Sequence, residues 1–88
     1  MMRLILDGNI LKYRSRVHSK LARSLHFPGW YGRNLDALYD CLTDFHEETE
    51  LILVNWTAPS LLPMRQVMED AAAENPHLTV TVKDALDA

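Results

Sequence analysis

The chain has 88 residues, of which 48% are hydrophobic and 24% are charged, and its formal net charge is −3. These values are typical of a globular protein, and the length predicts a single domain over residues 1–88 with one modest core. The sequence has no run of 18 apolar residues and no signal-peptide pattern, which predicts a soluble cytoplasmic protein with no membrane partner.

The charges are divided unevenly along the chain. Residues 1–33 hold seven basic residues and one acid, whereas residues 34–88 hold two basic residues and eleven acids. An asymmetry of this size can mark a binding face, but solvated helix faces that alternate in sign by chance give the same count. The count alone favours the second interpretation.

The chain opens with the patterns of a strand and a helix. Residues Met2–Leu6 are mostly aliphatic and lead into Asp7-Gly8, which predicts a short buried strand followed by a turn. Ser15 is predicted to cap a helix that runs to about His26, before Pro28-Gly29 ends it. The inner stripe of this helix has a four-residue spacing and consists of Val17, Leu21 and Leu25.

The second helix has the most informative pattern in the chain. Asn34 is a good N-cap residue, and the helix is expected to run to about Phe45 or His46. The apolar residues of this segment share one face, which consists of Leu35, Leu38, Leu42 and Phe45. The acids fall nearly opposite, and they are Asp36, Asp40 and Asp44. Because the leucines must face the core, the aspartates are predicted to point outward, towards a cationic partner.

The second half of the chain alternates strands with one more helix. The predicted elements are a polar loop at Glu47–Glu50, a strand at Leu51–Trp56, an irregular link at Thr57–Leu62, a helix from Pro63 to about Asn75-Pro76, a strand at Leu78–Val82 and a loose tail at Lys83–Ala88. The apolar run that ends at Trp56 predicts a strand covered on both faces, with the tryptophan packed inside. Strands separated by helices pair in parallel, so the predicted fold is α/β, a small three-stranded parallel sheet flanked by helices.

Sequence motifs for catalysis, cofactors or metals are absent. The glycines form no phosphate-binding loop, and no serine lies in a nucleophile motif. The single Cys41 excludes an internal disulfide and is expected to be a small packed residue. The histidines are scattered and are all expected at the surface; they are His18, His26, His46 and His77. Exposed carboxylates lack the desolvated cleft that shifts pKa values, and an acidic helix repels phosphate, so we expect no enzyme, no cofactor, no metal and no direct nucleic-acid binding.

One segment resembles a known family. It runs from Leu25 to Leu42 and contains Pro28-Gly29-Trp30-Tyr31-Gly32-Arg33-Asn34-Leu35-Asp36-Ala37-Leu38-Tyr39-Asp40-Cys41-Leu42. This motif closely resembles the barstar family of intracellular inhibitors of secreted, barnase-like ribonucleases. The fold that the resemblance implies is a three-stranded parallel sheet flanked by helices, which agrees with the pattern of elements above.

The resemblance also implies a protein-binding surface. Members of the family present the acidic second helix and the loop before it to the active site of the enzyme. Asp40 matches the dominant aspartate, which takes the place of a substrate phosphate, and Asp36 matches a second acid that pairs with nearby basic groups. The other positions that match contact residues are Trp30, Gly32, Asn34, Tyr39, Thr43 and Asp70, the last on a weaker match.

The sequence departs from the family in several places, one of which is a slightly longer loop after Phe45. The stretch between Trp56 and the last helix is shorter, so a middle helix is expected to be reduced to a turn. Asp44 replaces a small residue, and Trp30 and Tyr39 are aromatic exchanges. Two hypotheses therefore stand: an inhibitor of a basic ribonuclease of the extracellular type, monomeric when free, or a barstar-fold immunity or adaptor protein for a non-ribonuclease partner or toxin.

Overall fold

The computed structural model describes residues 1–83 and shows the predicted α/β class. The elements in chain order are β1 (Met2–Asp7), α1 (Gly8–Leu11), α2 (Arg14–Ser24), α3 (Leu35–Thr43), β2 (Thr49–Val54), a 3₁₀ turn (Pro59–Leu61), α4 (Leu62–Glu74) and β3 (Leu78–Lys83). The three strands form one parallel sheet in the order β1-β2-β3. The prediction of a small three-stranded parallel sheet with helices is therefore confirmed.

One face of the sheet forms one side of the hydrophobic core. Leu4, Leu51 and Val80 lie side by side across the three strands, and each packs in or against the core with the helices. The other face is more polar, because it carries an ion pair between Arg3 Nε and Glu50 Oε1 at 3.3 Å. The prediction that β2 is covered on both faces therefore holds only in part, because on this second face Val54 is fully buried but Ile52 is half-buried.

Three local predictions are corrected by the structure. The segment after Asp7 is a short helix rather than a turn, because the Asp7 carboxylate accepts a hydrogen bond from the Asn9 amide at 2.9 Å. Helix α2 begins at Arg14 and ends at Ser24, so Ser15 lies inside the first turn and is not the cap. Lys83 belongs to β3 rather than to a tail, and residues 84–88 lie outside the described part of the chain.

Trp56 connects the end of β2 to the core. It lies two residues beyond the strand, yet it is buried, and its indole Nε1 donates a hydrogen bond to the Leu6 carbonyl at 2.8 Å. The link that follows contains the 3₁₀ turn, which confirms the expected reduction of this region to a turn. Pro63 lies in the first turn of α4, where its missing amide hydrogen costs nothing.

We predict that Gly8→Ala destabilises the protein. A Cβ atom at Gly8 would lie 2.4 Å from the Asn55 carbonyl oxygen, so the backbone must move to accept it. The expected loss in the free energy of unfolding is about 1–3 kcal/mol, measured by denaturant titration. Gly29→Ala is the matched control, because nothing lies within 4 Å of the added Cβ atom there. Equal stabilities of the two variants would contradict this packing.

Candidate protein-binding surface

Helix α3 has its leucines inside and its aspartates outside. Leu38 and Leu42 are fully buried, whereas Asp36, Asp40 and Asp44 are exposed. The helical phase predicted from the sequence is therefore confirmed. An exposed row of carboxylates on a helix whose other face is fixed in the core is a rigid anionic surface.

The amino end of α3 is held by Asn34. Its side-chain oxygen accepts a hydrogen bond from the Ala37 amide at 2.8 Å, which confirms the predicted cap. Gly32 lies beside this cap, because a Cβ atom there would come within 3.0 Å of Asn34 Nδ2. Asp36 lies in the first turn, where a negative charge interacts favourably with the helix dipole.

The carboxyl end of α3 is held by a residue from another helix. Asn75, which follows α4 and is buried, donates from Nδ2 to the Leu42 carbonyl at 2.8 Å and to the Phe45 carbonyl at 2.7 Å. These bonds satisfy carbonyl groups that have no partner within α3. The Thr43 hydroxyl also forms its hydrogen bonds within α3, since it donates to the Tyr39 and Asp40 carbonyls.

The loop before α3 is anchored by Arg33. This residue and His26 both adopt positive φ values, 55° and 57°, which are uncommon for residues other than glycine. The Arg33 guanidinium donates to the Ser15 carbonyl at 3.1 Å and to the Ser19 hydroxyl. The loop is therefore tied to α2, a contact that no sequence pattern pointed to.

A buried pair of side chains supports the same loop. His18 Nδ1 and the Tyr31 hydroxyl share a hydrogen bond of 2.5 Å, and both residues are buried. Burial lowers the pKa of His18, with Arg33 and Arg14 adding to the effect, and burial raises the pKa of Tyr31 to about 12. The prediction that His18 lies at the surface is wrong, because Tyr31 folds back over α2 at this position.

A groove lies between this loop and the second half of α3. Its volume is about 490 Å³, and Trp30, which is 78% exposed, and Asp40 both line it. Cys41 also lines the groove, and its pKa is raised by partial burial and by the neighbouring carboxylates of Asp40 and Asp44. This agrees with a protonated, packed thiol rather than a reactive one.

The structure brings together most of the predicted contact residues. Seven of them lie on α3 or on the loop before it, namely Trp30, Gly32, Asn34, Asp36, Tyr39, Asp40 and Thr43. Tyr39 and Thr43 are half-buried, and the other five are exposed. Asp70 lies apart from these residues in the chain, on the exposed face of α4, and accepts a hydrogen bond from Gln66 at 2.9 Å. The role of each residue in partner binding stays a prediction.

Residues 1–83 hold neither a metal-binding cluster nor a membrane-spanning helix. Within residues 1–83, no group of three or more His, Cys, Asp or Glu side chains is placed to hold a metal ion. The longest helix in the same range, α4, has 13 residues, and no helix there combines the length and apolarity needed to span a bilayer.

Comparison with known proteins identifies the family. A family model described as Barstar (barnase inhibitor) matches residues 1–83. The chain belongs to the barstar family. A protein of Bacillus subtilis (strain 168) named "Putative ribonuclease inhibitor YrdF" is 49% identical over 43 residues, which make up 49% of this chain and 47% of that protein. The chain thus matches about half the length of this curated relative.

We predict that His18 makes the barstar fold less stable in mild acid. The pKa of His18 is lower in the folded protein than the ordinary value of 6.5. As the pH falls, the unfolded chain therefore binds a proton at this histidine at a higher pH than the folded protein does. The free energy of unfolding should therefore fall as the pH drops below 6.5. His18→Asn should reduce this slope in denaturant titrations across that range, whereas His26→Asn, at an exposed position, should keep it. Identical slopes in both variants would contradict the assignment.

Proposed function

We propose that this chain inhibits a basic, barnase-like ribonuclease by covering its active site with α3 and the loop before it. Membership of the barstar family and the name of the Bacillus subtilis relative support this proposal. The observation that carries it is the outward row on α3. Asp36 and Asp40 are exposed, and within residues 1–83 neither carboxylate has an ion pair or hydrogen bond to another side chain.

The chemistry of this row suits a phosphate-binding site. A ribonuclease holds RNA phosphates with positive groups, and a carboxylate can accept the same charge-assisted bonds, including paired bonds from an arginine. Asp40 acts as the phosphate mimic, and Asp36, about 6 Å along the helix axis, meets basic groups beside it. Since α3 is already fixed at both ends, little conformational freedom is lost on binding.

The loop and the neighbouring side chains complete the proposed contact. Trp30 exposes most of a large aromatic ring, which is costly in water and favourable in an interface. Gly32 and Asn34 shape the approach to α3, while Tyr39 and Thr43 lie half-buried at its edges. Asp70 extends the acidic surface onto α4. A rigid contact of this kind needs no catalytic group, so we assign the chain as an inhibitor and not an enzyme.

The proposal also sets the cellular context. The inhibitor acts as a monomer in the cytoplasm on a ribonuclease of the extracellular type, and protects the cell before the enzyme is exported. This mechanism involves no direct binding of nucleic acid, because the carboxylates of α3 would repel phosphate groups.

A second function is favoured by two departures from the family. Asp44 adds an exposed acid at the end of α3, and Trp30 changes the shape of the loop, so the surface can suit a different partner. In that case the chain is a barstar-fold immunity or adaptor protein for a toxin that is not a ribonuclease. Capture of a partner without nuclease activity, together with no protection in an RNA-cleavage assay, would favour this alternative.

We predict that Asp40→Ala abolishes most of the inhibition without unfolding the protein. The assay is RNA cleavage by a panel of secreted ribonucleases, titrated with wild-type and variant protein. A hot-spot carboxylate should cost at least about 30-fold in affinity, because it leaves the cationic groups of the enzyme unpaired. Glu50→Gln is the control, since it removes one charge on the opposite face of the sheet.

Two results would count against the proposal. One is unchanged inhibition by Asp40→Ala while the variant unfolds at the same denaturant concentration as the wild type. The other is an association rate that does not fall as the salt concentration is raised, because a steered encounter between opposite charges weakens with screening.

A further inference from the structure

The groove beside α3 extends beyond the predicted contact residues. Its walls include the side chains of Phe27, Pro28 and Phe45, and Trp30 stands exposed at one side. Of the residues that match contact positions of the family, only Trp30 and Asp40 line it. The volume of about 490 Å³ is large enough to receive one side chain of a partner protein.

The charges of this groove are all of one sign. Asp40, Asp44 and Glu47 line it, and no lysine or arginine does; its other titratable side chains are those of Cys41, His26 and His46. In the part of the chain that the structure describes, none of the three carboxylates has an ion pair or a side-chain hydrogen bond. The groove therefore combines apolar walls with uncompensated negative charge.

Asp44 is unfavourably placed for the stability of the free protein. It is the C-cap residue of α3, where the negative end of the helix dipole repels a carboxylate. No basic residue lies in the last turn of this helix. A residue that weakens local structure without a partner of its own points to a partner outside the chain.

We propose that the groove receives an arginine side chain of the partner protein, held between the carboxylates of Asp44 and Glu47 and the indole of Trp30. A guanidinium is planar, weakly hydrated and able to stack on an aromatic ring while it donates paired bonds to a carboxylate. A lysine ammonium is more strongly hydrated and lacks the stacking surface, so it fits the apolar walls less well.

This proposal rests on the proposed function and makes it more specific. An enzyme that fits the whole surface must carry, besides the basic groups that meet Asp36 and Asp40, a further arginine placed to enter the groove. Because an unfilled groove leaves Asp44 and Glu47 unpaired in the complex, enzymes without that arginine bind less tightly. The groove therefore selects among basic ribonucleases.

The first experiment uses a small probe and isotope-labelled protein. Acetyl-arginine amide is titrated while the backbone and indole signals are followed by NMR, and acetyl-citrulline amide serves as the uncharged probe of the same shape. We expect saturable shifts at the Trp30 indole and at the amides of Asp44 and Glu47 with arginine only. The variant Asp44→Asn/Glu47→Gln should bind about five- to tenfold more weakly.

A matched control variant has the same total charge as the groove variant. Glu50→Gln/Glu69→Gln also removes two carboxylates, but neither residue lines the groove, so its affinity for the arginine probe should equal that of the wild type. Equal shifts with citrulline, shifts outside the groove only, or equal affinities of the two double variants would overturn the proposal.

The second experiment separates this proposal from the inhibitor function. Both double variants are titrated against any ribonuclease that the wild type inhibits, and the groove variant alone should lose about tenfold or more in affinity. If the probe binds the groove but no ribonuclease is inhibited, the inhibitor function fails and the arginine site stands. If a ribonuclease is inhibited equally by both variants and the probe does not bind, the groove proposal fails alone.

Discussion

The surface of this protein depends on how helix α3 is fixed. Leu38 and Leu42 are fully buried on one side, and an asparagine side chain holds each end of the helix, Asn34 from the loop before it and Asn75 from the end of α4. A rotation of α3 would expose the leucines and break both sets of bonds. The aspartates can therefore point only outward, and the helix holds their charges in a fixed arrangement at the surface.

The loop before α3 is fixed by a different kind of contact. Arg33 reaches back to Ser15 and Ser19 of α2, while Tyr31 packs on His18 beneath it. These contacts offset the cost of two left-handed residues, and they place Trp30 at the edge of the groove. The exposed surface is thus shaped by a contact between Arg33 and α2 and by a buried pair of polar side chains, His18 and Tyr31.

The sequence predicted the parts of this arrangement that depend on neighbouring residues. The phase of α3, its cap at Asn34 and the parallel pairing of the strands follow from spacing and from local chemistry. Helix α1 was missed because the Asp7-Gly8 pair also fits a turn, and the close fit of Gly8 against Asn55 joins residues far apart in the chain. His18 was misplaced for the same reason, since its burial depends on Tyr31, thirteen residues later.

The candidate site was likewise predictable only where it depends on residues close together in the chain. The acidic row could be predicted from periodicity, whereas the roles proposed for its members rest on the family motif alone. The groove could not be predicted from the sequence, because it forms only where the loop and the end of α3 come together. Glu47 and His26 both line it, yet they share no pattern in the sequence. The Asn75 bonds to α3 were equally hidden, since they cross 30 or more residues.

The most direct test of the central claim, that α3 occupies the phosphate sites of a ribonuclease, is a competition measurement. The affinity of the wild-type chain for an enzyme that it inhibits is measured by calorimetry at increasing concentrations of a mononucleotide that binds the same active site. Mutually exclusive binding, seen as an apparent dissociation constant that rises in proportion to the nucleotide concentration, is the predicted result. An affinity that stays constant when the nucleotide saturates the enzyme would contradict the claim.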